Sequence, residues 1–214
     1  MTLPEAPGGD AGSGAEVGSE RSPAARRRAV ALAGHVGDVA TARSGLGDPD
    51  AAVRATALGA LARLGALTPA DLAGALADGH PSVRRRAATL AVRPDDPSVL
   101  PRFDDPAASV VEAAAWAAGE RQPPEPGAVE ALSDLARDHD DALVREAAVA
   151  ALGAIGDPAG LPAVLAATRD RPAVRRRAVL ALAAFEGEEV DAALARALED
   201  RDWQVRQAAE DLLS

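Results

Sequence analysis

The 214-residue chain contains no cysteine, no lysine and no tyrosine, and only two tryptophans and two phenylalanines. Without cysteine it can form no disulfide framework, thiol nucleophile or thiolate metal site. Without lysine it has no Schiff-base nucleophile and no phosphate-loop lysine. Because aromatic rings are so few, the interior must consist of alanine, leucine and valine, which suits closely spaced helices.

Charge and hydropathy argue against nucleic acid or a membrane as the partner of this chain. The chain has 33 acidic residues and 23 arginines, a formal net charge of −10. A negative overall field does not attract nucleic acid or an anionic membrane. No stretch approaches 18 apolar residues, so we expect no membrane span. The run Arg26-Arg27-Arg28 resembles a twin-arginine export signal, but only five apolar residues follow it. We therefore predict a cytoplasmic protein.

The first 21 residues differ from the rest of the chain. Glycine, serine, proline, alanine and acids dominate them, and no apolar period of 2 or 3.6 is present. We predict a disordered tail over residues 1–21 and a folded domain over 22–214.

The folded part contains an internal repeat, the phrase Val-Arg-x-x-Ala. We call the first residue of each copy its anchor and count positions from it. The anchors are Val53, Val83, Val144, Val174 and Val205, with degenerate copies at Ala25 and Val110. The seven anchors span 180 residues in six intervals, a mean of 30, which has room for two short helices and two turns.

Each anchor is expected to begin a helix, because apolar residues recur at positions 0, +4, +7 or +8 and +11. Acidic turns precede most anchors and supply N-cap oxygens, as in the segment from Asp48 to Asp50. A second, shorter amphipathic segment follows most anchor helices, and no alternating run of strand length is visible. The pattern predicts stacked helix pairs.

The repeat resembles the HEAT repeat in its short bacterial form, the phycobilisome-lyase-like HEAT repeat. The shared motif is Asp-x-x-x-x-Val-Arg-x-x-Ala-x-x-Ala-Leu-Gly, and residues 48–61 and 144–153 are its best copies. The resemblance covers residues 22–214. It implies an all-α fold, a right-handed α-solenoid of about six to seven helix pairs with the anchor helices lining the concave side.

Twelve of the 23 arginines lie at positions +1 to +3, where cations oppose the helix macrodipole. The turn aspartates can compensate them, since bidentate arginine–carboxylate pairing suits such a site. We therefore predict an Asp–Arg ladder through the +1 arginines, which is also their usual role in similar HEAT proteins. Arg85, Arg86, Arg176 and Arg177 are expected to point outward, where partner binding and a plainly solvated face remain alternatives.

The middle repeat departs from the pattern in three ways. Val111 replaces the ladder arginine, Trp116 occupies the outward +6 position, and a proline-rich insertion covers residues 121–126. Trp116 is either an exposed interaction hot spot beside charges or local core beneath the insertion. The predicted partner-binding residues are Trp116, Arg85, Arg86, Glu112, Glu146, Arg176 and Arg177.

No catalytic arrangement is evident. The histidines His35, His80 and His139 lack the i,i+4 spacing of a metal pair, and no Gly-x-Ser-x-Gly elbow occurs. Some HEAT-like enzymes, notably deoxyhypusine hydroxylase, bind iron through repeated His-Glu dipeptides, and no histidine here is followed by glutamate. We expect no cofactor and no metal.

The function that follows is a non-catalytic scaffold that binds a protein or peptide on its concave face. Two alternatives stay open. One is a maturation factor like the phycobilisome-lyase HEAT proteins, for which few stacking side chains are present. The other is a HEAT-like DNA-binding protein that uses the arginine stripe, the row formed by the twelve arginines at positions +1 to +3. The acidic net charge of the chain opposes this alternative.

Overall fold

The computed structural model describes residues 22–214, which form α-helices in two layers with no strand in that range. The predicted tail, residues 1–21, lies outside the described residues. One layer contains the anchor helices: α1 (Pro23–Val36), α3 (Ala51–Arg63), α5 (Pro81–Leu90), α6 (Ala108–Glu120), α8 (Ala142–Ile155), α10 (Pro172–Ala181) and α12 (Trp203–Leu213). The other layer contains the second helices: α2 (Val39–Ser44), α4 (Pro69–Leu76), α7 (Ala128–Asp138), α9 (Leu161–Ala167) and α11 (Glu188–Ala197). Within residues 22–214, no helix has the length and apolarity needed to cross a membrane.

All seven anchors begin helices, so the predicted repeat is confirmed as a structural unit. Within residues 22–214 the stack contains five complete helix pairs; α5, the third anchor helix, has no full second helix, and α12 ends the stack. Turn aspartates cap several anchor helices, as predicted. The carboxylates of Asp50, Asp141 and Asp202 accept hydrogen bonds from backbone N–H groups in the first turns of α3, α8 and α12.

The interior is assembled from small aliphatic side chains that repeat in register. The residues at position 0 and at position +4 are buried in every unit from α3 onward. They are Val53, Val83, Val110, Val144, Val174, Val205, Ala57, Ala87, Ala114, Ala148, Ala178 and Ala209. Each unit therefore buries its apolar face against its neighbours, which is the way a solenoid obtains a continuous core.

Glycine at position +9 lets consecutive anchor helices approach closely. A Cβ added at Gly119 would lie 2.7 Å from the Cα of Ala151, and one at Gly153 would lie 2.7 Å from the Cβ of Ala181. Gly34 meets Ala60 in the same way at 2.9 Å. These glycines are helical, so they are required for space between helices and not for an unusual backbone angle.

The two layers differ in how tightly they pack. Every consecutive pair of anchor helices packs together, whereas neighbouring second helices meet extensively only where α7 faces α9. A stack curves toward its more closely packed layer, so the anchor helices line its concave side.

A buried arginine closes the unit that lacks a full second helix. In place of that helix the chain forms a loop with one 3-10 turn, Leu100–Arg102. Arg121, only 3% exposed, donates from Nε and Nη2 to the carbonyl of Ala91 and from Nη2 to that of Pro97. Its Nη1 also donates to Glu125 at 3.2 Å. Arg121 thereby satisfies the backbone carbonyl at the end of α5 and one in the loop that follows it.

We expect Gly119→Ala to destabilise the protein by about 1–3 kcal/mol, because the added methyl group forces α6 away from α8. The matched control is Gly74→Ala in α4, where an added Cβ meets nothing within 4 Å. That change should leave stability unchanged or raise it by up to about 1 kcal/mol, since alanine is the better helix former. Urea denaturation of both variants measures the difference, and a neutral Gly119→Ala would contradict close packing at this junction.

Candidate functional site

Five bidentate ion pairs join successive units along the turns at the anchor-helix N-termini. In each, Nε and Nη2 of a +1 arginine donate to the two carboxylate oxygens of an aspartate, at 2.7–2.9 Å. The pairs are Arg26–Asp48, Arg54–Asp78, Arg84–Asp105, Arg145–Asp170 and Arg175–Asp200. The predicted Asp–Arg ladder is therefore present, and we call each of these ion pairs a rung.

Each ion pair joins the helix of one unit to the turn of the next. Asp48 stands six residues before Arg54, yet its carboxylate pairs with Arg26 of the preceding unit. Arg54 instead donates from Nη1 to the carbonyls of Asp48 and Pro49 in its own turn. The Arg54 side chain thus spans two turns. The carbonyls of the turn before α3 and the carboxylate of the next unit's turn together offset the positive charge at the N-terminus of α3.

The ladder also sets the ionisation of its aspartates. The hydrogen bonds from Arg145 are the main cause that lowers the pKa of Asp170, against a smaller opposing effect of burial. The pKa values of the other four rung aspartates are lowered in the same way, by their arginine partners. The rungs are consequently ionised throughout the neutral range.

The junction between α6 and α8 has no rung because both partners are replaced. Val111 is fully buried where the other units have arginine. His139 stands five residues before its anchor, the position of Asp48, Asp78 and Asp200 in their units. Its Nδ1 accepts from the backbone N–H of Asp141, so it keeps the turn without supplying a carboxylate. The histidine is visible in the sequence, but only the observed pairing across units identifies it as the second replacement.

A groove on the concave side opens beside this junction. We call it the Trp116 groove. It has a volume of about 470 Å³ and is lined by residues of α5, α6, α8 and α10. Its main side chains are Arg85, Glu112, Trp116, Leu143, Glu146 and Arg177. Five of the seven predicted partner-binding residues therefore come together here from four different helices.

Trp116 is 44% exposed, which decides between the two alternatives for it: the ring is on the surface and not in the core. Leu143 is 60% exposed on the neighbouring helix. Two large apolar side chains thus face solvent within one groove.

The charges of the groove are only partly paired. Arg177 donates from Nη2 to Glu146 at 3.3 Å, while its Nε is buried without an acceptor among the described residues. Arg85 and Glu112 are exposed and form no ion pair within residues 22–214. Beside its apolar side chains the groove therefore has one cation, Arg85, and one carboxylate, Glu112, that form no ion pair with any described residue.

The structure places the other two predicted residues elsewhere. Arg86 points to the opposite side of α5, toward Gly59 of α3. Arg176 is exposed on α10 but does not line the Trp116 groove. Successive helical positions turn by about 100°, so +2 and +3 arginines reach different neighbours.

We expect Arg145→Ala to lower the free energy of unfolding by about 1–3 kcal/mol, because Asp170 would lose its charged donor in a mostly buried pair. The matched control is Arg176→Ala on the solvent side of α10, which should change stability by less than about 0.5 kcal/mol. Equal effects in urea denaturation would contradict a structural role for the ladder.

The same two variants test the pH dependence of the ladder. The lowered pKa of Asp170 means that its contribution is complete above the ordinary carboxyl pKa and is lost as the pH falls below it. The destabilisation caused by Arg145→Ala should therefore be constant from about pH 7 to 5 and shrink between about pH 5 and 2. The effect of Arg176→Ala should stay flat, and an Arg145→Ala effect that grows on acidification would contradict the assignment.

Comparison with solved structures gives the same architecture. The chain is similar to the Escherichia coli protein YibA, with a TM-score of 0.63, 18% identity, and coverage of 91% of this chain and 76% of that one. Human deoxyhypusine hydroxylase in complex with glycerol matches less well, with a TM-score of 0.49, 19% identity, and coverage of 91% and 80%. A designed armadillo repeat protein in complex with the peptide (KR)4 gives 0.47, 17% identity, and 89% and 90%. At 18% identity the likeness to YibA concerns the fold.

Family models cover most of the chain. The model for HEAT repeats matches residues 16–93 and 97–173, and the model for the PBS lyase HEAT-like repeat matches residues 174–200. Among the curated proteins, none matches the sequence. The predicted resemblance is confirmed, and the chain belongs to the HEAT-repeat family.

Proposed function

We propose that this protein is a non-catalytic scaffold that binds a segment of a partner protein across its anchor-helix face. The observation that carries the proposal is the Trp116 groove, where an exposed tryptophan lies among charges of both signs. Tryptophan and arginine are among the residues most enriched at the energetic centres of protein interfaces. A rigid ring also loses little conformational entropy when it becomes buried against a partner.

The position of the groove supports this assignment. Packing imposes an arginine and an aspartate at the other junctions, and both are absent where α6 meets α8. A solenoid departs from its repeat pattern where function requires it, because each departure gives up a favourable contact.

The chemistry of the groove favours binding over catalysis. Its lining includes two hydroxyls, those of Thr89 and Ser109, and neither is hydrogen-bonded to a histidine or to a groove carboxylate among the described residues. The Thr89 hydroxyl already donates to the backbone carbonyl of Arg85. The residues that remain can hold a ligand through apolar contact and ion pairing.

The DNA-binding alternative depends on the arginine stripe. Five of the six +1 arginines already donate to aspartates inside the solenoid, so they are committed to packing. For the maturation-factor alternative, a planar tetrapyrrole would meet a single tryptophan in this groove. Neither arrangement accounts for the groove as well as a protein segment does.

The test is affinity capture of the partner from the native lysate with three immobilised baits: the wild-type protein, Trp116→Ala and Trp203→Ala. Trp203 is the matched control, since it is 65% exposed and lies outside the Trp116 groove. We expect the same captured protein on the wild-type and Trp203→Ala columns and its loss from the Trp116→Ala column.

Both tryptophan variants should fold normally, with stability within about 1 kcal/mol of the wild type, because both side chains are on the surface. Identical captured proteins on all three columns would overturn the proposal.

A further inference from the structure

Basic charge is concentrated on the first three anchor helices. Together α1, α3 and α5 contain eight arginines and no aspartate or glutamate, although the whole chain has a net charge of −10. Arg26, Arg54 and Arg84 belong to ladder rungs. The remaining five form no ion pair and no side-chain hydrogen bond with any described residue: Arg27, Arg28, Arg63, Arg85 and Arg86.

Two of these arginines line a second groove on the same concave side. We call it the basic groove; it has a volume of about 360 Å³, and its polar residues are His35, Thr56, Arg63 and Arg86. The rest of its lining is alanine and glycine, and no acid is among the residues that line it. An anion entering this groove would meet two guanidinium groups and no opposing charge.

Glycines on the adjoining helices leave room for both guanidinium groups. A Cβ added at Gly59 would lie 2.5 Å from Nη2 of Arg86, so the guanidinium occupies the space that any other side chain would fill. A Cβ added at Gly34 would lie 3.2 Å from Nη1 of Arg63.

We propose that the basic groove binds carboxylate side chains of an acidic protein segment, and that this segment belongs to the partner whose apolar residue enters the Trp116 groove. The inference rests on the proposed function. The two grooves flank α5, which supplies Arg85 to one and Arg86 to the other. At a helix spacing of 8–10 Å their centres lie about 20 Å apart, or about six residues of extended chain.

Charge and stacking favour an acidic protein segment over a nucleic acid. A nucleic acid carries a phosphate at every nucleotide, also beyond the groove, where it would meet a chain whose net charge is −10. The basic groove also has no aromatic side chain other than His35 on which a base could stack.

The experiment measures binding of rhodamine-labelled hexaglutamate to the full chain by fluorescence anisotropy at low ionic strength. Arg86→Gln should weaken binding at least about fivefold, because one of the two charge-assisted contacts of the groove is lost. The matched control is Arg176→Gln, which removes the same charge from an exposed arginine outside both grooves and should change affinity less than about twofold.

A third variant, Gly59→Ala, displaces the Arg86 guanidinium without changing any charge. It should weaken hexaglutamate binding while leaving the thermal midpoint unchanged or higher, since alanine favours the helix. Binding that weakens equally in Arg86→Gln and Arg176→Gln would overturn the proposal, as would the absence of binding or tighter binding of a single-stranded oligonucleotide. Trp116→Ala should leave hexaglutamate binding unchanged, so the two proposals can fail separately.

Discussion

The distance between neighbouring anchor helices is the constraint on which the rest of this structure depends. With few aromatic rings, the interior is filled by valine, leucine and alanine, and these side chains fill it only if the helices lie close together. Gly119 and Gly153 permit this by placing backbone against the alanine of the next helix. The same spacing brings each turn within reach of the next, so that a single arginine side chain spans the gap between units.

The arginine ladder solves an electrostatic problem that the close packing creates. Seven helices begin along the same edge of the stack, and their N-termini concentrate positive partial charge there. Adding arginines would worsen this field, yet each rung brings an ionised aspartate from the adjoining turn into it. Where Val111 and His139 replace the pair, the junction relies on apolar packing alone, and the exposed ring of Trp116 lies next to it.

Different positions of the same anchor helices form the core and the surface grooves. Positions 0 and +4 face the interior, whereas the +2, +3 and +6 positions line the grooves of the concave side. Because the core is invariant in character from unit to unit, variation at the groove positions changes the exposed surface at little cost to the fold. Trp116 and Gly59 occupy the same +6 position in different units, and one builds an apolar site while the other makes room for a guanidinium.

The sequence by itself determined the helical repeat, its period and the buried valines, because these depend on residues close together along the chain. It also predicted that a ladder exists, because an arginine and a turn aspartate recur in most units. Tertiary structure decided which aspartate each arginine binds, since Asp48 is near Arg54 in sequence but reaches Arg26 across the unit junction. It also decided that Trp116 is exposed and that Arg85 and Arg86 enter different grooves. Those outcomes depend on the distance and rotation between packed helices, which no single repeat of the sequence encodes.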